Sequence, residues 1–210
     1  SSIEEIYTAG RPGIPAVERI FEKRGWGQPE MRTVTVKFTM EEARSTPWYG
    51  RFGVPEGAQI FPWTELTEAE RRHIVESNER AGGIPNSLQP WRHDCIGFDP
   101  VSSLGLRYRG EVVGWVINHR MDERTVRFTC SFMRRDLARR AAILALYTES
   151  IRRLSEVGCE YCTFITPTVY PEMVQFIMRH IAPYAKNTFV GDTRGSRKHL
   201  GPNAPDAGRC

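Results

Sequence analysis

The sequence predicts an α+β fold, with a mixed, mostly antiparallel sheet and a parallel pair near its centre. Three observations carry this. Strand-like runs follow one another closely across 103–133, joined at Arg109-Gly110 and at 121–124. A helical pattern then spans 137–157. A further apolar run, 161–166, comes directly after it. A strand separated from its predecessor by a whole helix pairs parallel to it.

The chain has 210 residues, enough for one good-sized domain or one domain plus a small appendage. Hydrophobic residues are 40% and charged residues 26%, a globular rather than a disordered balance. No apolar run approaches the ~20 residues that span a bilayer. The first ten residues, SSIEEIYTAG, lack a basic-then-apolar signal pattern. These features favour the cytoplasm and give no membrane role. Net charge is +4, from 29 basic and 25 acidic residues, too mild to imply nucleic acid. The five cysteines are an odd number without a secretory signal, which argues for free thiols. Cys159 and Cys162 form a C-x-x-C, but no second ligand pair stands at zinc spacing, so no metal site is expected.

In chain order, 15–25 reads as a short helix with Val17, Ile20, Phe21 and Arg24 on one face and Gly25 as its stop. MRTVTVKF (31–38) alternates and is rich in β-branched residues, so it reads as a strand. Pro and Gly break up 40–57, leaving a linker with one helical turn. AQIFPW (58–63) is a second strand, which Pro62 confines to an edge or a strand end. Thr67 with Glu70 fits a capping box for the helix ended by Gly82-Gly83. Residues 84–100, with three prolines, read as loop with a short helical piece.

The hairpin 103–109 and 111–121 leads into strand 125–133. Strict alternation there puts Val126, Phe128, Cys130 and Phe132 on one side, and Arg127, Thr129 and Ser131 on the other. The following helix carries Leu137, Ala141, Leu144, Ile151 and Leu154 on one face. After strand 161–166 come a helix at 171–181, a last strand at 184–190 and a Gly-, Pro- and Arg-rich tail, 191–210, read as disordered.

From Ala58 onward the order is three antiparallel strands, a crossover helix and a parallel strand. With the hairpin Tyr108-Arg-Gly-Glu-Val-Val-Gly-Trp115 it resembles the GNAT acyltransferase superfamily over 58–190. The resemblance implies a three-layer α/β/α domain. Ile20-Phe-Glu-Lys-Arg-Gly-Trp26 is also similar to the Y-E-K-x-G-F signature that ends the last helix of many GNAT domains. Residues 1–45 then read as a helix-strand remnant of a preceding GNAT copy in a tandem protein, or as an unrelated extension.

The resemblance further implies an acyl-CoA site, with acetyl-CoA the first candidate, at the strand-to-helix turn. Its residues would be Phe132, Met133, Arg134, Ala138, Arg139, Arg140, Ala141 and Ala142. The family pattern there is Q/R-x-x-G-x-G/A. One frame puts Ala138, Ala141 and Ile143 at its defined positions; the next puts Arg139, Ala142 and Leu144 there. Free N–H groups at a helix start hold phosphate, arginines add charge pairing, and alanine can replace glycine where the backbone is helical. In many GNAT proteins a tyrosine of the last helix protonates the leaving thiolate. The matching turn here has none, so Tyr170, just ahead of it, is the candidate acid, with His180 as a substitute.

His119 is the candidate base, and Trp91, His93 and Thr129 are candidate substrate contacts. The function implied is acyl transfer from acyl-CoA to a small-molecule amine. Two alternatives share the fold: an enzyme fed by an acyl carrier protein, and a non-catalytic binding module.

Overall fold

The computed structural model describes residues 2–186 and 190–199. Eight strands form one sheet in the order β1-β8-β2-β7-β6-β5-β4-β3. In chain order they are β1 (Ser2–Thr8), β2 (Glu30–Thr39), β3 (Ala58–Pro62), β4 (Leu104–Tyr108), β5 (Glu111–Arg120), β6 (Thr125–Met133), β7 (Tyr161–Pro167) and β8 (Val190–His199). All neighbours pair antiparallel except β6 and β7, which are parallel. The helices are α1 (Ile14–Lys23), α2 (Met40–Arg44), α3 (Glu68–Ala81), α4 (Arg135–Ala138), α5 (Ala142–Glu156) and α6 (Pro171–His180).

The sheet carries an apolar core on each face. On one, Val34, Val36 and Phe38 of β2, Val126 and Phe128 of β6 and Phe164 of β7 pack under Leu146, Tyr147, Ile151 and Leu154 of α5 and Ile177 of α6. On the other, Phe61, Trp63, Trp115, Ile117 and Cys130 pack under Ile74 of α3. This is the three-layer arrangement that the resemblance implied. Among the described residues no helix is long and apolar enough to cross a membrane.

Local chemistry accounts for the element ends. The Thr67 hydroxyl accepts from the Glu70 N–H, and the Glu70 carboxylate accepts from the Thr67 N–H. Thr39 and Glu42 build the same box at α2, the one helical turn expected in the linker. Arg109 (φ 53°) and Gly110 (φ 81°) turn the β4–β5 hairpin. Gly114, the last glycine of that hairpin motif, sits at a close approach: a Cβ there would lie 2.9 Å from the backbone oxygen of Phe132.

Three readings change. The helix expected from 137 to 157 is two pieces, because Ala141 takes a left-handed conformation (φ 57°, ψ 24°) and breaks the i→i−4 ladder between α4 and α5. The strand expected at 184–190 starts at Val190 instead; Tyr184 ends a 3₁₀ turn, and 187–189 fall outside the described residues. The tail read as disordered from 191 begins with β8, which is held from both sides by β1 and β2; 200–210 fall outside the described residues. Residues 2–44 supply β1, α1, β2 and α2, and β2 lies between β8 and β7 in the same sheet. Ser2–Thr8, given no element from the sequence, is one of its two edge strands.

The left-handed alanine gives a direct test. An L-residue with a Cβ costs roughly 1 kcal/mol there relative to glycine. Ala141→Gly is therefore expected to raise stability by about 0.5–1 kcal/mol, read from a urea midpoint. A destabilised variant would show that α5 does not start through this conformation.

Candidate active site

The site begins where two strands part. β6 and β7 are in register from Thr125↔Tyr161 to Phe128↔Phe164, and no further. Beyond that point they diverge and leave a cleft of about 390 Å³. Phe128, Thr129 and Ser131 line one side, Phe164, Ile165 and Thr166 the other, and Tyr170 and Met173 close one end. Ser87 and Leu88, on the 3₁₀ turn Asn86–Leu88, cover it.

A β-bulge causes the divergence on the β6 side. Ile117 of β5 pairs with Cys130 and the next residue, Asn118, with Phe128, so Thr129 is the extra residue. The bulge also resets the alternation. Val126 and Phe128 belong to the core under α5, but Cys130 belongs to the opposite core with Trp115 and Ile117, and Phe132 packs there too. The strict alternation expected for β6 therefore fails after Phe128, since one inserted residue sends every later side chain to the other face. Burial pushes the Cys130 thiol up to about 12, so it is no nucleophile at neutral pH.

No family model and no curated protein matches this sequence. Solved structures do. A tandem GNAT protein from the clavulanic acid biosynthesis pathway superposes with a TM-score of 0.61 at 11% identity, over 97% of this chain and 65% of that one. A GCN5-related N-acetyltransferase from Sphaerobacter thermophilus gives 0.59 at 17% identity, over 94% of this chain and 59% of that one. Another, from Kribbella flavida, gives 0.56 at 11% identity, over 95% and 68%. The chain has the GNAT fold. At these identities the fold is what is shared, and this chain spans less than two thirds of the first two proteins.

Within this GNAT fold, three of the candidate residues converge. Thr129 and Tyr170 both line the cleft. The Tyr170 hydroxyl is hydrogen-bonded to Ser87 Oγ. His119 lies behind Thr129, its Nδ1 2.8 Å from Thr129 Oγ1. The imidazole is 1% exposed, and Nε2 is buried without a hydrogen bond of good geometry among the described residues. His93 bonds the Ser87 carbonyl through Nε2 at 3.2 Å, and its ring centroid lies 5.9 Å from that of His119. His119 thus reaches the cleft through Thr129 rather than directly.

Burial, foremost, lowers the His119 pKa below 6.5; the His93 backbone offsets this in part, and the charges of Arg127 and His93 add to the lowering. A group whose folded pKa is depressed takes up its proton more readily when unfolded. Stability from neutral His119 is therefore fully present above pH ~6.5 and lost as pH falls through the folded pKa. Denaturant midpoints should fall between about pH 7.5 and about pH 5.5, less so in His119→Asn. Equal slopes in the two proteins would contradict a neutral buried ring.

Other candidates lie elsewhere. Trp91 donates to Gln89 Oε1 and lines a separate hollow with Trp63 and Phe98. Phe132, Met133 and Arg134 line a groove under α3 rather than the cleft. His180 stacks on Phe176 at the far end of α6.

The expected phosphate turn is altered by the break at Ala141. The N–H groups of Ala138, Arg139, Arg140 and Ala141 are taken by carbonyls of the α4 turn, at 2.9, 3.3, 3.0 and 3.0 Å. Those of Ala142 and Ile143, the first of α5, have no backbone partner among the described residues. Arg134 is ion-paired with Asp136 and Glu111, at 2.8 and 2.9 Å, so its charge is already matched within the chain. Arg135, Arg139 and Arg140 make no ion pair among the described residues.

The turn thus offers two N–H donors, a helix N-terminus and three unpaired arginines, which fits a phosphate group. Sequence reasoning missed Ser87, while Ser131 stood on the strand it singled out. A loop serine carries no periodic signal, and only the bulge gives Ser131 its place.

Proposed function

We propose that this chain is an N-acyltransferase taking an acyl group from acyl-CoA to a small-molecule amine, with acetyl-CoA the first donor to test. One observation carries the reading: β6 and β7 part at Phe128 and Phe164, and the gap between them holds Thr129 and Tyr170. A pantetheine arm is long and narrow and suits such a gap. Ala142, Ile143, Arg135, Arg139 and Arg140 would hold the phosphates. The thioester supplies an activated acyl carbon with a good leaving group.

The chain's own tasks are to position and to move protons. With the imidazole proton on Nε2, Thr129 donates to His119 Nδ1 and accepts from Arg127 Nε at 3.0 Å. An amine at Thr129 can then pass its proton through the hydroxyl to His119. Tyr170 gives its proton to the sulfur as the C–S bond breaks. Ser87 holds the Tyr170 hydroxyl and covers the reaction from water.

Calorimetry with CoA and acetyl-CoA tests the donor. Micromolar binding that weakens in Arg139→Ala/Arg140→Ala is expected. The absence of heat at millimolar ligand would eliminate free CoA as the carrier. The shortened set of N–H donors also favours a second reading, a single-phosphate pantetheine on an acyl carrier protein. Thiol release from an acyl-carrier mixture, but not from acyl-CoA, would select it.

A further inference from the structure

Next to the cleft, one row across the sheet reads His119, Arg127, Thr163, Lys37, each directly opposite the next on neighbouring strands. Residues directly opposite on neighbouring strands share a face. The row therefore lies on one face, one pair back from where β6 and β7 part. Its next neighbours toward the cleft are Thr129, Ile165 and Thr35. The stretch carries two cations, three threonine hydroxyls and no acid. Lys37 turns aside, its Nζ 4.3 Å from the centre of the Tyr161 ring.

Arg127 spends one donor, Nε, on Thr129 Oγ1 at 3.0 Å. Its two terminal nitrogens have no partner among the described side chains. It is half-buried and, among the described residues, paired with no carboxylate, although the other strand arginines are: Arg32 with Glu30, Arg107 with Glu70, Arg120 with Asp99, Arg194 with Asp192 and Arg197 with Glu4. A guanidinium fork left open beside a buried base is suited to an anion from outside. A bare ammonium would be repelled there, and a zwitterion would not.

We propose that Arg127, with the Thr163 hydroxyl, forms a carboxylate-binding subsite, so that the acceptor is an amine that also bears a carboxylate, an amino acid being the simplest case. Thr129 fixes the geometry. Its hydroxyl bonds Arg127 and the residue lines the cleft, so a carboxylate on the guanidinium leaves the neighbouring amine beside Thr129. Arg127 is then a substrate-binding residue, and it discriminates among amines. This deepens the acyl-transfer reading above and rests on it.

The test has a binding arm and a turnover arm. In the first, protein carrying 15N in its arginine and histidine side chains is titrated with pooled proteinogenic amino acids and with their carboxamides. The acids should shift the Arg127 Nε and His119 ring signals and the amides should not. Arg127→Met should weaken binding of the acids about 10- to 100-fold. Arg127→Lys should retain part of it, and the unfolding midpoint of each variant shows that it is folded. Acids and amides binding alike, no acid shifting either signal, or acids binding Arg127→Met as tightly as the parent would each overturn the subsite.

In the turnover arm, thiol release from acetyl-CoA is compared between amino acids and their decarboxylated amines. The parent should favour the acids about tenfold or more in kcat/KM, and Arg127→Met should bring the ratio toward one. If simple amines react as fast as amino acids in the parent, acyl transfer stands and the subsite falls. If amino acids bind at Arg127 but release no thiol, acyl transfer falls and the subsite stands.

Discussion

Tyr170→Phe is expected to lower kcat for thiol release by about 100-fold or more, with the donor KM changed little. Loss of a positioned general acid costs about 10²- to 10⁴-fold. The ring stays the same size at the start of α6, so packing and donor contacts change little and the loss falls on the chemical step. Ser87→Ala removes the partner of the hydroxyl and leaves the hydroxyl itself. It should therefore cost less, about tenfold. Donor thioesters with more acidic leaving thiols need less protonation and should narrow the gap for Tyr170→Phe. An unchanged kcat would remove Tyr170 from the mechanism, and a loss confined to KM would make it a binding residue.

Trp115→Ala should be the most destabilising single change in the second core. The side chain is 1% exposed, its ring lies 4.8 Å from Phe132 and 5.9 Å from Trp63, and Nε1 donates to the Leu88 carbonyl at 3.0 Å. Removing a buried Trp costs about 3–5 kcal/mol, against a total of about 5–15 kcal/mol for an ordinary domain. A guanidinium midpoint shift equivalent to less than about 1.5 kcal/mol would refute the packing described for this face. Trp115→Phe separates the roles. It keeps most of the apolar contact but leaves the Leu88 carbonyl without its donor, at about 1–3 kcal/mol. Ser87 is the next residue back along that turn, so activity should fall although position 115 does not line the cleft.

The topology was legible because period 2 and period 3.6 separate well in this chain. The parallel pairing of β6 with β7 followed from one intervening helix, and the Thr67–Glu70 box marked its helix start. Legibility failed where a residue type fits two conformations. Ala141 suits a helix interior, and nothing in R-R-A-A distinguishes that from a left-handed break. The bulge at Thr129 left no trace, since F-T-C-S-F alternates well when read straight through. β8 was invisible for a different reason. From Gly191 to His199 it has no hydrophobic side chain, and its place is set by β1 and β2 and by pairs such as Arg194 with Asp192 and Glu18. Tyr170 and Thr129 could be singled out as candidates, but their meeting in one cleft, with Ser87 above them, belongs to the tertiary structure.

The interleaving of β1, β8, β2 and β7 has a consequence for the order of assembly. β1-α1-β2 and β7-α6-β8 are both strand-helix-strand units, and each places its last strand between the two strands of the other. Thr39 pairs with Tyr161, and Ser2 with His199. On the ribosome, β2 therefore emerges well before both of its neighbours, β7 and β8, and waits unpaired for them. Loop-closure entropy has to be met before those contacts repay it, so folding should be slow for the size, on the millisecond-to-second scale of strongly non-local sheets. During that wait the Val34, Val36 and Phe38 stripe is exposed to other nascent chains, and yield in expression should depend on chaperone supply more than on equilibrium stability.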